Sequence, residues 1–375
     1  MFDFLPDFSW QTGNSILNPL LEKLANTPQE PQWHGEGNVL NHTKMVCEAI
    51  TKLESFPTLP SKLQQCLWLA ALLHDIGKPA TTRQEDGRWV SPGHARVSSE
   101  MARQLLWKHL SGSLDKLRLR EAVCSYIRYH TMPPHAIFDH NGSWKLRKAA
   151  TCGELTSYFH IHGLCLLSQA DVLGRICSDQ AELTEKIRLC EELAAESCCL
   201  HKSYPFPSAH TQFAYVSGKN IPPEFELYDD TWGQVILMSG LPGTGKDTWI
   251  KAHYSHLPMV SLDDIRKELG ILPTAPQAPV VDAAREKAKE LLRKKQPFVW
   301  NATNLTTQIR SKQVDLFTAY GAATRIVYLE TGWEQQLSRN AGRKDAVPQA
   351  ALCHMTEKLV VPQRWEAPAV EWHVV

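Results

Sequence analysis

Two groups of residues in this chain have the types and spacing to handle phosphate. The first is Val235–Ile250, VILMSGLPGTGKDTWI: an apolar run that reads as a buried strand, a glycine-rich turn, then an amphipathic helical pattern from Lys246. Gly240, Gly243 and Gly245 lack side chains, so the backbone amides through Thr244 can turn inward around phosphate oxygens at a helix N-terminus. Lys246 then reaches the β- and γ-phosphates of ATP, the expected donor. Asp247 stands where Ser or Thr usually follows the lysine, and a hydroxyl arrives one residue later at Thr248; either is a candidate Mg²⁺ ligand. A plain glycine-rich turn is the bland alternative, and the preceding strand and the lysine speak against it.

The second group lies upstream: His34 and His42 in WHGEGNVLNHT, His74 and Asp75 in ALLHDIGKP, His94 in SPGHARVSS, His130 in SYIRYHTMPP and Asp171 in SQADVLGR. His42, His94, His130 and Asp171 each follow or end an apolar helical run. His74 and Asp75 end the helix Leu63–His74, with Gly77 expected as its stop. A shell of imidazole and carboxylate suits Mn²⁺, Ni²⁺, Co²⁺, Cu²⁺ or Zn²⁺ better than Mg²⁺ or Ca²⁺ alone, and such an ion makes bound water acidic enough to attack phosphorus. Lys78, at the mouth of the helix, and Arg175, four residues after Asp171, can each neutralise a phosphate oxygen. For Arg175 an exposed ion pair with Asp171 is an equal alternative. His34 is a ligand, a phosphate contact or a structural histidine.

The segment beyond the glycine-rich loop separates a kinase from an ATPase. VSLDDIRKELG delivers Asp263 and Asp264 to a strand's carboxyl end, with Arg266 on the next helical turn; a carboxylate there can take the proton of an attacking alcohol. Helix capping accounts for one of the two acids at most. In WNATNLTTQIR, Asn301, Thr303 and Asn304 come after a strand and are expected to orient substrate or loop. SRNAGRKDAVP places Arg339 and Arg343 four apart on a helix, as a lid over transferring phosphates or as a solvated charged face.

The elements that must position these residues differ between the halves. From Trp33 to about Cys199 the apolar period is helical almost throughout, without convincing alternation, so residues 1–200 are expected to be an all-α domain. Segment 201–232 turns to Pro, Ser, Tyr and Phe and reads as a linker or sheet-edge arm. From 233 to 375 strands at Val235–Met238, Met259–Ser261, Phe298–Trp300, Arg325–Leu329 and Val370–Val374 alternate with helices at Val280–Lys295, Gln308–Tyr320 and Trp333–Ala341. That pattern implies an α/β domain with a parallel sheet and the phosphate loop at its carboxyl edge.

Bulk properties set outer bounds. The 375 residues suit about two domains, and 40 basic residues balance 40 acidic ones, so a polyanion would have to meet a local basic patch. Arg266, Lys267, Arg285, Lys287, Arg310, Lys312, Arg339, Arg343 and Lys344 are its candidates. Ten cysteines without a CxxC pair, and an acidic start (MFDFLPDFSW), point to a reducing, cytoplasmic protein. The longest apolar run, Cys66–Leu73, is too short to span a membrane.

Taken with their order, the upstream motifs resemble the HD superfamily of metal-dependent phosphohydrolases, and more narrowly the HD domains of bacterial tRNA nucleotidyltransferases, over about Trp33 to Arg175. The resemblance implies that His42, His74, Asp75 and Asp171 hold the principal metal, and that His94 and His130 hold a second ion or contact phosphate. The downstream loop, LDDIR, NATNL and paired arginines resemble the 5′-OH polynucleotide kinases, over about Gln234 to Leu359. That likeness implies Asp263 as general base, Arg266 on the acceptor strand, and Lys246, Arg339 and Arg343 on the transferring phosphoryl group. The fusion is similar to the bacterial bifunctional HD-domain polynucleotide kinase-phosphatases. Expected substrates are RNA or DNA ends bearing a 2′,3′-cyclic, 2′- or 3′-phosphate and a 5′-OH, and a nucleic-acid ligase is an expected partner. Two other functions fit the motifs: a small-nucleotide phosphohydrolase fused to a small-metabolite kinase, and an ATP-driven regulatory or nucleic-acid-binding switch, against which Asp263 and Arg266 speak.

Overall fold

A helix that is apolar on every side must run through the middle of its domain, and Ser61–Leu73 does so, with every residue from Cys66 to Leu73 buried. The computed structural model describes residues 7–343 and 345–375. It divides into two compact units, Met1–Leu110 with Asp115–Pro205, and Ser111–Leu114 with Phe206–Val375. Around the central helix of the first unit pack Val39–Lys52, His94–Trp107 and Ile161–Leu173. The last of these is also buried nearly all round, so the pair forms the spine of one helical core.

Two details of this unit depart from expectation. Arg83–Glu85 (β1) and Arg88–Val90 (β2) form an antiparallel hairpin inside the stretch whose period is helical. Its turn is Asp86-Gly87, both at positive φ (50° and 77°), the geometry that Asp-Gly favours between twisted strands. Gly77 is not a left-handed helix stop, because its φ is −85°. It is small for another reason: a Cβ there would lie 2.5 Å from the Ser98 amide nitrogen. Gly77 N–H donates to Ser98 Oγ at 2.9 Å, which brings helix His94–Trp107 against the turn that carries Asp75.

The second unit is built on a five-stranded sheet of Gln234–Ser239 (β3), Met259–Ser261 (β4), Val299–Asn301 (β5), Ala323–Glu330 (β6) and Ala369–Val374 (β7). Its order is β4-β5-β3-β6-β7 and every pairing is parallel. β3 and β5 are buried almost throughout, as strands covered on both faces must be. The chain moves from β3 to one side for β4 and β5, then to the other for β6 and β7. The carboxyl end of β3 is therefore the switch point where such sheets bind ligands. Segment 201–232 is more than a linker, because it contains a helix, Ala209–Val216, capped by Ser208, whose Oγ accepts from Thr211 N–H at 3.0 Å. Phe213 on that helix packs on the sheet's core. Among the described residues no helix is long and apolar enough to cross a membrane.

Candidate active sites

Four imidazoles of the helical unit are tethered alike. Nδ1 of His74, His94 and His130 lies 2.8, 2.8 and 2.7 Å from the carbonyl three residues back, and His42 Nδ1 lies 3.1 Å from Gly174 O. An Nδ1–H given to a carbonyl fixes the tautomer and leaves Nε2 a bare acceptor. These bare atoms converge, with His42 and His74 Nε2 3.2 Å apart and His94 and His130 Nε2 3.4 Å apart. Facing lone pairs at that range repel unless a cation or a shared proton lies between them.

Carboxylates close the group. Asp171 Oδ1 is 3.0 Å from His42 Nε2, and Asp75 Oδ2 is 3.2 Å from His74 Nε2, while Asp75 Oδ1 faces His94 Nε2 at 3.4 Å. Both Asp75 oxygens are buried without a hydrogen bond; Lys78 Nζ stands 2.7 Å from Oδ2 but out of alignment. A buried carboxylate in that state, ringed by imidazole lone pairs, fits a divalent cation. Its two oxygens turn to different histidine pairs, so Asp75 can bridge two ions. His42, His74, Asp75, His94, His130 and Asp171 thus lie in one cluster.

Protonation obeys the same logic. Burial alone would raise the Asp75 carboxyl, yet His74 and Lys78 hold it well below the usual carboxylate range. Asp171 is likewise raised by burial but held well below by Arg175 and His42. Burial, with His74 and His94 beside it, lowers His130 to about 3, and burial also lowers His94. His42 is the exception: burial lowers it, but Asp171 and Glu36 outweigh that and raise it.

The flanking residues sit differently from the simplest expectation. Lys78 is buried, held between Asp75 and Gln29 Oε1, to which it donates at 2.6 Å. Arg175 lies beyond the end of helix Ile161–Leu173 and grips Asp171 with both Nη2 (2.6 Å) and Nε (3.3 Å), mostly out of solvent. Both cations are therefore spent on Asp75 and Asp171. His34 Nδ1 is 2.7 Å from Glu36 Oε1, and its ring meets that of His42 edge to face at 5.0 Å. Glu36 is the residue the motifs do not single out: Oε1 also lies 3.1 Å from His42 Nδ1, and Oε2 accepts Ile176 N–H at 3.0 Å. Within WHGEGN it looks like any turn glutamate, and only packing gives it these partners.

In the second unit the loop after β3 has the cradle shape its glycines imply. Gly240 has φ +142°, and a Cβ there would stand 2.4 Å from Leu329 O; Gly243 and Gly245 have φ of +82° and +84°. Gly240 N–H donates to Thr303 O at 2.9 Å, and Thr244 Oγ1 donates inward to Leu241 O at 2.9 Å, so that hydroxyl shapes the loop. Lys246 Nζ folds back onto Gly240 O (3.0 Å) and Leu241 O (2.9 Å). Burial lowers its pKa to about 8, against the pull of Asp247 and Asp263. Asp247 Oδ1 accepts from Asn301 Nδ2 at 2.7 Å, and Thr248 is exposed.

At the carboxyl end of β4, Ser261 caps helix Leu262–Glu268 through Asp264 N–H (3.2 Å), so Asp263 is not the cap. Asp263 is exposed and paired with Arg266, whose Nε also donates to Gln277 Oε1 at 2.8 Å. Asn304 is a loop tie: it holds φ +45° and gives Nδ2 to Met238 O at 2.7 Å. Arg310, a candidate for a basic patch, is fully buried on Glu366 (2.7 and 2.8 Å) and also donates to Asn304 O. Helix Trp333–Ala341 ends before Arg343, with Gly342 as its C-cap, so Arg339 and Arg343 do not share a helix. Both are exposed, and Arg339 Nη1 lies 3.9 Å from where a Cβ on Gly245 would be.

Comparison with known proteins matches this division. The HD domain family matches residues 38–158, leaving His34, Asp171 and Arg175 outside the matched span, and an AAA domain family matches residues 235–362. A protein from Chloroflexus aurantiacus described as a candidate kinase is similar over 38% of this chain and 89% of its own, at 17% identity and a TM-score of 0.32. No curated protein matches. The chain is an HD domain fused to a phosphate-loop, kinase-like domain.

Proposed function

We propose that this protein heals broken nucleic-acid ends, the HD domain removing 2′,3′-cyclic, 2′- or 3′-phosphates and the second domain phosphorylating 5′-OH ends from ATP. The observation that carries the reading is Asp263, an uncapped, solvent-open carboxylate at the sheet's carboxyl edge with Arg266 beside it. A donor site facing such a base is built for an alcohol acceptor.

In the HD domain His42, His74, Asp75 and Asp171 would hold one divalent cation, and Asp75, His94 and His130 a second. A bound cation supplies hydroxide at neutral pH and polarises the phosphate. Lys78 and Arg175 steady the ligand carboxylates, and the Glu36 carboxylate aligns His34 and His42. In the kinase domain Lys246 exchanges its two loop carbonyls for phosphate oxygens, Asp263 takes the proton of the attacking hydroxyl, and Arg266 steadies the acceptor. Arg339 and Arg343 offset charge on the transferring group.

The test uses RNA with a 5′-OH and a 2′,3′-cyclic phosphate, given Mn²⁺ or Ni²⁺ in one arm and ATP with Mg²⁺ in the other. Lys246→Ala is expected to abolish only phosphorylation; His74→Ala and Asp75→Ala only dephosphorylation. If the two activities cannot be separated, the two-site reading fails. A small-metabolite acceptor is the second reading, favoured by partial neutralisation of the candidate basic patch: Lys267 pairs with Asp345, Lys287 with Glu268, and Arg310 is buried, while Lys344 lies outside the described residues. Phosphorylation of mononucleosides or sugars but not of oligonucleotides would select it.

A further inference from the structure

In phosphate-loop enzymes two side chains help hold the cation that accompanies the nucleotide: a hydroxyl on the residue after the loop lysine and a carboxylate from the Walker-B acid. Here the residue after Lys246 is Asp247, and β5, the strand hydrogen-bonded to β3 on the acceptor side, ends in Asn301. These two side chains meet, because Asn301 Nδ2 donates to Asp247 Oδ1 at 2.7 Å. The amide's orientation is fixed by that contact, since a carbonyl oxygen would repel the carboxylate. Asn301 Oδ1 is thereby the atom left to accept or ligate.

We infer that the two ligands have traded chemistry in this protein: Asp247 supplies the carboxylate and Asn301 the neutral oxygen of the kinase cation site. The donor set fits a hard divalent cation, one anionic and one neutral oxygen, with the same total charge as the usual pair. Asp247 Oδ2 takes no hydrogen bond among the described residues, and the bond from Asn301 keeps the carboxylate from swinging away. Asp247 also acts on Lys246 from close by, being the first of the charges that oppose the effect of burial on that ammonium. Thr248, one position further round the helix, is then not needed as a ligand.

The inference rests on the kinase reading of this loop, and its test is read from binding rather than turnover. ATP affinity of the full-length protein is measured by calorimetry in EDTA and in excess Mg²⁺. In Asp247→Ser, metal-free ATP should bind as well as or better than in the wild type, because a negative charge is gone, while the gain from Mg²⁺ should fall about tenfold or more. Asp247→Ser with Asn301→Asp, which puts hydroxyl and carboxylate in their usual places, should recover most of that gain. An undiminished gain in Asp247→Ser overturns the inference, and so does a double variant that binds metal-free ATP but shows no recovery. If the serine variant loses metal-free ATP as well, the near-isosteric Asp247→Asn gives the same comparison. Absence of phosphoryl transfer to any acceptor, with the Mg²⁺ gain still set by Asp247, would sink the kinase reading and leave the exchanged pair standing.

Discussion

Lys246 offers a quantitative test of the nucleotide site. Its ammonium is desolvated against two backbone carbonyls, and its pKa falls to about 8. Phosphate oxygens beside it would restore the ordinary lysine value, near 10.4. Between these values the free protein holds fewer protons than the complex, so ATP binding takes up a proton and weakens as pH rises. Uptake is expected to be about half a proton at pH 8 and about 0.9 at pH 9, and affinity at pH 9 about tenfold below its neutral-pH limit. Calorimetry in buffers of different ionisation enthalpy, above the range where ATP itself titrates, measures both quantities. Lys246→Arg, which stays charged, should bind without uptake. Zero uptake by the wild type at pH 8–9, with flat affinity, would refute the idea that the loop holds the ammonium desolvated.

Other expectations come from single contacts. Glu36→Gln should lower divalent-metal affinity of the HD domain about tenfold or more, read as metal retained after dialysis, because two imidazoles lose their carboxylate partner; unchanged metal content would show that Glu36 is only a turn residue. Glu366→Ala leaves Arg310 buried and unpaired and should cost about 3–5 kcal/mol in chemical denaturation of the kinase domain, whereas a loss below about 1 kcal/mol would mean the guanidinium finds water. Gly240→Ala places a Cβ against Leu329 O at a φ that alanine rarely adopts, so ATP binding should be lost with the fold retained by circular dichroism.

Local signals are dependable wherever one segment carries the whole cause. GLPGTGK after an apolar strand specifies its own turn, because only glycine tolerates the positive φ values and the approach of Leu329 O. The strands of the second domain come from their alternation with helices, and the buried helix Ser61–Leu73 from its apolar composition. The Asp86-Gly87 hairpin is equally local, but the helical period on either side hides it. In segment 201–232 the Pro and Ser content masks the capped helix Ala209–Val216.

Tertiary structure decided everything that needs two distant segments at once. His42 and Asp171 meet because helices Val39–Lys52 and Ile161–Leu173 pack together, and no local pattern gives that contact. The amide of Ile176, far along the chain, reaches Glu36, whereas sequence offers only a glutamate in a turn. Arg310 reads as one more surface cation until Glu366, far along the chain, is found beside it in the core. Sequence leaves Arg175 open between a phosphate contact and an ion pair with Asp171, four residues away, and the fold selects the ion pair; Lys78 reads as a phosphate ligand until Asp75, three residues back, and the distant Gln29 are seen to hold it. Sequence determined which chemistries this protein carries, because loop conformation and helix burial are set by neighbouring residues. Only the fold decided which side chains share a site, because a hydrogen bond of about 3 Å between remote segments depends on how whole elements pack.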